Sequence, residues 1–146
     1  LVRSGRLDEA TAHYEESLRL EPSGPAAAEC HYNLGVLVTA AGRAGQGKGH
    51  YTRALELRPD YAEAHYNLAV ALLGDGRLAD ATVHLEAAAR SRPDLVPARL
   101  ALADAYARTG RLAEAIAEAE AARDMAPPAE RPALERAIRA WRAGAR

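Results

Sequence analysis

The residues of this chain whose types and spacing could do chemistry begin with a glycine-rich run around its only lysine. Gly42-Arg43-Ala44-Gly45-Gln46-Gly47-Lys48 spells Gly-x4-Gly-Lys, the core of a loop whose backbone N–H groups cradle phosphates. That chemistry needs Ser or Thr next, to hold magnesium, and a β-strand before, to aim the amides. Gly49 follows the lysine instead, and Ala28 to Ala41 before it carry a helical pattern of apolar side chains. The run therefore reads as a turn entering a helix, with no nucleotide bound.

Histidines form a second pattern: His13, His50 and His84 share one place in a recurring unit, and His31 and His65 share another. Zinc would need such rings within about 2.1 Å of one ion. Equivalent places in stacked units lie about 10 Å apart, the distance between packed helices, so no metal is expected. Cys30 and His31 adjoin, but neighbours on a helix point about 100° apart, and a thiolate–imidazole pair needs contact. Cys30 is expected to be a small buried packing residue. Glu15, Glu16, Glu114 and Glu118 follow helical spacing beside arginines and read as solvated faces. No constellation of catalytic, metal-ligating or cofactor-binding residues converges, so the expectation is a protein that is not an enzyme and carries no cofactor.

The elements that must carry these residues announce themselves by repetition. Gly-Arg dipeptides at 5, 42, 76 and 110 recur every 34 residues after a first interval three longer, and Pro22, Pro59, Pro93 and Pro127 keep the same intervals. The extra three residues fall at Ser23-Gly24-Pro25-Ala26-Ala27, as a loop insertion would. An apolar helical pattern precedes each glycine and another follows it, so the unit is helix, glycine turn, helix, proline turn. In one unit Ala64, Leu68, Ala71 and Leu72 line one face of the first helix, and Ala81, Leu85, Ala88 and Ala89 one face of the second.

Composition agrees with closely packed helices. Of 146 residues 49% are hydrophobic and 27% charged, with no Phe, one Trp and one Met, which leaves a core of Ala and Leu. A net charge of −1, from 19 Lys and Arg against 20 Asp and Glu, offers no field for nucleic acid. Lys48 is the single lysine among many arginines, the mark of a GC-rich, bacterial genome. No run of about 18 apolar residues would insert into a membrane, and the first residues lack the apolar core of a signal peptide. The chain opens without Met in mid-unit, as a piece of a longer protein would. Cytoplasmic residence is the expectation, or periplasmic if a targeting segment lies upstream.

Tyr66-Asn67-Leu68-Ala69, Gly76-Arg77-Leu78-Ala79-Asp80-Ala81 and Pro93 resemble one full tetratricopeptide motif. Tyr32-Asn33-Leu34-Gly35, Gly42, Tyr51, Ala54 and Pro59 resemble a second, and Leu102-Ala103, Tyr106, Gly110, Ala115, Ala122 and Pro127 a third. Leu7, Ala10, Tyr14 and Pro22 match only a second helix. The resemblance implies an all-α fold, an α-solenoid of stacked antiparallel helix pairs in one domain. Its parts would be a truncated repeat and loop at 1–27, full repeats at 28–61, 62–95 and 96–129, and a capping helix at 130–146 that uses Leu134, Ile138 and Trp141. The uncapped amino end, from Leu1 to Ser4, is expected to expose an apolar face able to self-associate. His31 and His65 would take a large, partly buried family position often held by Trp. Gly45, Gly47 and Gly49 stand where other units have helix formers, so a frayed helix start and a hinge are expected there.

In the family this chain resembles, first helices line the concave side of the superhelix. Carried over, the peptide groove is Glu29, Tyr32, Asn33 and Val36, then Glu63, Tyr66, Asn67 and Val70, then Arg99, Leu100, Asp104 and Arg108. Asn33 and Asn67 could bind the backbone of an extended peptide, since an amide both donates and accepts. They resemble the asparagine ladder of the repeat superhelix of O-linked N-acetylglucosamine transferases, which stops here at Ala101. Glu29, Glu63 and Pro97 stand where chaperone clamps carry cations, which argues against an acidic ligand. The expected function is a scaffold that binds a protein or peptide; the alternative is the accessory segment of a larger enzyme, such as a bacterial glycosyltransferase, presenting a protein substrate.

Overall fold

The computed structural model describes residues 2–145, with residues 2–4 described in backbone only. Those residues form eight helices and no strand: α1 Val2–Leu20, α2 Ala27–Ala40, α3 Ala44–Leu57, α4 Ala62–Gly74, α5 Leu78–Ser91, α6 Val96–Arg108, α7 Leu112–Met125 and α8 Arg131–Gly144. Each helix packs on the one before it and the one after it, so α2–α3, α4–α5 and α6–α7 are hairpins in a continuous α-solenoid. Among the described residues no helix is long and apolar enough to cross a membrane.

Three glycines close the hairpins. Gly42, Gly76 and Gly110 have φ of 80°, 75° and 78°, the left-handed region that a side chain resists. That turn lets the next N–H reach back over the helix end: Arg43 donates to the Val38 carbonyl at 2.9 Å, Arg77 to Leu72 at 2.9 Å and Arg111 to Tyr106 at 2.8 Å. Gly5, expected to do the same, does not. Helix α1 runs straight through it.

The irregular start expected for α3 is also not seen, and Gly47 has a packing role there. The helix is regular from Ala44. A Cβ on Gly47 would stand 1.9 Å from Thr39 Oγ1 and 3.1 Å from the Gly35 carbonyl, and one on Gly35 would stand 2.6 Å from the Tyr51 ring. Gly35 and Gly47 are thus part of the contact surface of the α2–α3 hairpin, Gly35 making room for the Tyr51 ring and Gly47 letting α3 come close to Thr39 and the Gly35 carbonyl. Helix propensity is given up for packing.

Elsewhere alanine does the same work. Ala54, Ala64, Ala69, Ala81, Ala88, Ala98, Ala115 and Ala122 are wholly buried between helices, with Leu34, Leu85 and Leu102 as the largest side chains sealed inside. Cys30 is buried, its thiol donating to Ser17 Oγ at 3.6 Å. Helix α8 caps the far end. Ile138 is buried against Ala103 and Ala119, with Ile116 and Trp141 packed beside it, while Leu134 is half-buried. At the other end Leu7 is 44% exposed on α1.

Candidate peptide-binding face

The first helices of the hairpins present the same side chains one repeat apart because their sequences match: Tyr32-Asn33-x-x-Val36 on α2 and Tyr66-Asn67-x-x-Val70 on α4. Their leucines, Leu34 and Leu68, turn into the core. That leaves Val36 38% and Val70 46% exposed on the outer side, with the tyrosines and asparagines half-buried next to them. Asn67 Nδ2 donates to the Tyr32 hydroxyl at 3.4 Å, which joins α4 to α2 across the repeat boundary. The Asn67 carbonyl oxygen is left as an acceptor.

Tyr32 is the centre of an aromatic cluster. Its ring lies 5.0 Å from Tyr61 and 6.2 Å from Tyr51, and the Arg58 guanidinium stacks 4.2 Å from the Tyr61 ring centre. Burial pushes the Tyr32 hydroxyl up, against the opposing hydrogen bond from Asn67. It pushes Tyr61 up to about 12, so both stay protonated donors at neutral pH. The sequence reading missed Tyr61 because it lies in the turn before α4, outside the helical pattern. The available signal was an aromatic ring 34 residues before Leu95, the residue that precedes α6.

The remaining predicted groove residues divide. Glu29 is exposed, whereas Glu63 is held in an ion pair with Arg92 from the end of α5. Tyr66 packs against the core cluster. On α6, Leu100 is half-buried, and Asp104 and Arg108 are exposed 3.7 Å from each other. Arg99 is turned elsewhere: its guanidinium donates to Glu118 on α7 at 2.7 Å and to the Pro93 carbonyl at 2.5 Å. The arrangement thus offers two repeats of mixed amide, phenol and valine surface, with its charges mostly paired.

The other sequence motifs have plain structural places. The phosphate-loop look-alike is helix from Ala44, Gly47 N–H donates to the Arg43 carbonyl at 3.1 Å, and Lys48 pairs with Asp75. Among the described residues no group of three or more His, Cys, Asp and Glu converges. The histidines do meet, however, in a way the sequence reading did not foresee, pairwise within a hairpin rather than between repeats. His31 Nδ1 lies 3.2 Å from His50 Nδ1, and His65 Nδ1 lies 2.9 Å from His84 Nδ1.

Glycine-closed hairpins that stack in one direction and end in a capping helix define the class: a repeat α-solenoid. Family models described as tetratricopeptide repeats match residues 1–46 and 72–138, and a further TPR repeat model matches residues 50–76. The chain belongs to the tetratricopeptide repeat family. Solved structures agree on the fold. YrrB, described as a TPR protein with an unusual peptide-binding site, superimposes with a TM-score of 0.76 at 22% identity, over 98% of this chain and 73% of that one. MamA superimposes at 0.71 and 22% identity, over 86% of this chain and 71% of its own. Residues 41 to the end of MamA from Desulfovibrio magneticus RS-1 give 0.70 at 26% identity, over 86% and 70%. No curated protein matches the chain.

Proposed function

We propose that the face built by α2, α4 and α6 binds a partner protein through an extended, uncharged or basic peptide segment, and that the chain is a scaffold without chemistry of its own. The observation that carries this reading is the repeated Tyr-Asn-x-x-Val surface, which leaves Val36 and Val70 exposed next to half-buried amides that can pair with a peptide backbone. Glu29 is exposed, while Glu63 is paired with Arg92, so the face is weakly acidic and would repel an acidic ligand. A net charge of −1 gives no general attraction to nucleic acid. That YrrB is described as peptide-binding supports the reading by analogy of fold.

The test is selection of binders from a displayed random-peptide library, followed by calorimetry on variants. Asn67→Ala should weaken a selected peptide by about 1 kcal/mol or more, the effect of an unmade hydrogen bond, and Val36→Asp with Val70→Asp should abolish binding. Peptides that bind all variants equally would place the ligand elsewhere.

A further inference from the structure

The three hairpins tie their two helices together at one equivalent place, nineteen residues apart in sequence. In α2–α3 the tie is His31 to His50 and in α4–α5 it is His65 to His84. In α6–α7 it is the ion pair of Arg99 and Glu118. The first-helix member also reaches the preceding turn, His65 Nε2 lying 2.9 Å from the Pro59 carbonyl just as Arg99 Nε donates to that of Pro93. One structural strap is thus built with two chemistries.

The proton positions follow from the partners. A carbonyl only accepts, so His65 carries its proton on Nε2 and presents a lone pair at Nδ1. The bond between the rings must then be donated by His84 Nδ1–H. A proton added at His84 Nε2 leaves that bond standing. A proton added to His65 can go only to Nδ1, and it sets two N–H groups against each other across 2.9 Å. The first strap obeys the same rule, since a pair of imidazolium rings has no acceptor to offer. Each histidine strap therefore closes only while one of its rings is neutral.

The surroundings favour neutral rings. Burial, then the facing His50 and then Arg53, hold His31 below the ordinary histidine range, with Glu56 opposing. Burial holds His50 down, with Glu15 of α1 opposing. Burial and then His65 hold His84 down against Asp80, and Lys48, Arg77 and Glu56 line the recesses beside it.

We propose that the two histidine straps are acid-labile latches, so that α2–α3 and α4–α5 loosen as the pH falls below the ordinary histidine range while α6–α7, latched by Arg99 and Glu118, stays closed. The sign is fixed by linkage. The unfolded hairpin takes up protons near the ordinary histidine value of about 6.5, before the latched one does, so the stabilisation is complete above that pH and fades below it. The third latch contains no imidazole to take up a proton, and its guanidinium already carries its full charge.

The experiment is amide hydrogen exchange on the intact chain, corrected for intrinsic rates, at neutral pH and at about pH 5. Exchange in α2–α5 should rise about tenfold or more relative to α6–α7, the effect of losing one interhelical hydrogen bond per strap. Grafting the third latch onto the others (His31→Arg, His50→Glu, His65→Arg, His84→Glu) should make all three hairpins respond alike. His84→Gln guards against a graft that fails to fold: an amide can donate to neutral His65 or turn its oxygen to charged His65, so acid sensitivity should vanish from α4–α5 alone. Equal responses of all hairpins in the wild type, or undiminished acid sensitivity of α4–α5 in His84→Gln, would overturn the proposal.

Discussion

Helix α3 contains three glycines, and the structure assigns them opposite mutational effects. Replacing any of them by alanine relieves the helix of a poor former, a gain of about 0.5 to 1 kcal/mol. At Gly45 and Gly49 nothing lies within 4 Å of the added Cβ, so the gain should appear undiminished. At Gly47 the added carbon meets Thr39 Oγ1 at 1.9 Å, Thr39 Cβ at 3.2 Å and the Gly35 carbonyl at 3.1 Å. The hydroxyl can rotate away, but Thr39 Cβ and the Gly35 backbone cannot, so α2 and α3 must separate by a few tenths of an ångström. Overpacking of this kind costs about 1 to 3 kcal/mol, which outweighs the propensity gain. Gly47→Ala should thus be destabilised relative to Gly45→Ala by about 1 to 3 kcal/mol. Urea unfolding followed by circular dichroism, at unchanged m-value, reads the difference. Thr39→Ala in the Gly47→Ala background should recover part of it, because the side chain that clashes is gone. If all three alanine variants are stabilised alike, the close approach of α2 and α3 is not what places a glycine at 47.

Two further outcomes follow from particular contacts. Ile138→Ala, which empties the buried contact of α8 with Ala103 and Ala119, should destabilise the chain by about 2 to 5 kcal/mol, and early proteolysis within residues 131–144 would show the cap lifting; protection equal to wild type would refute it. At high pH, burial holds Tyr61 up to about 12, and burial with the Glu86 bond holds Tyr106 there too. Both values are raised on folding, so their stabilisation is full below the ordinary tyrosine value of about 10 and is lost as the pH rises through about 12. An absorbance titration should therefore show late phenolates among the six tyrosines, one fewer in Tyr106→Phe, and six coincident steps near about 10 would contradict it.

The fold was readable because a repeat states its rules more than once. Glycine turns, prolines and small residues kept one period, and only backbone geometry could satisfy all three at Gly42, Gly76 and Gly110. Gly5 broke the rule, since α1 continues through it, and a motif cannot express that an established helix propagates through one glycine at small cost. Gly47 broke it in the other direction. Propensity scales price a glycine by what it lacks, whereas here the missing Cβ is the contact.

The histidine straps were hidden by the direction of comparison. Setting His31 beside His65, or His50 beside His84, asks what one repeat does to the next, and the answer is a separation too wide for chemistry. The telling comparison runs across the hairpin, where residues nineteen apart meet: His with His, His with His, then Arg with Glu. A change at both ends at once, from two rings that share a proton to a cation and an anion, is what one sequence can reveal about contact without any relative to align. It also says what the position requires, a polar bond that closes the hairpin, and leaves open only the pH at which that bond fails. Two hairpins have taken the chemistry that fails in mild acid, and the third, beside the cap, has taken the one that does not.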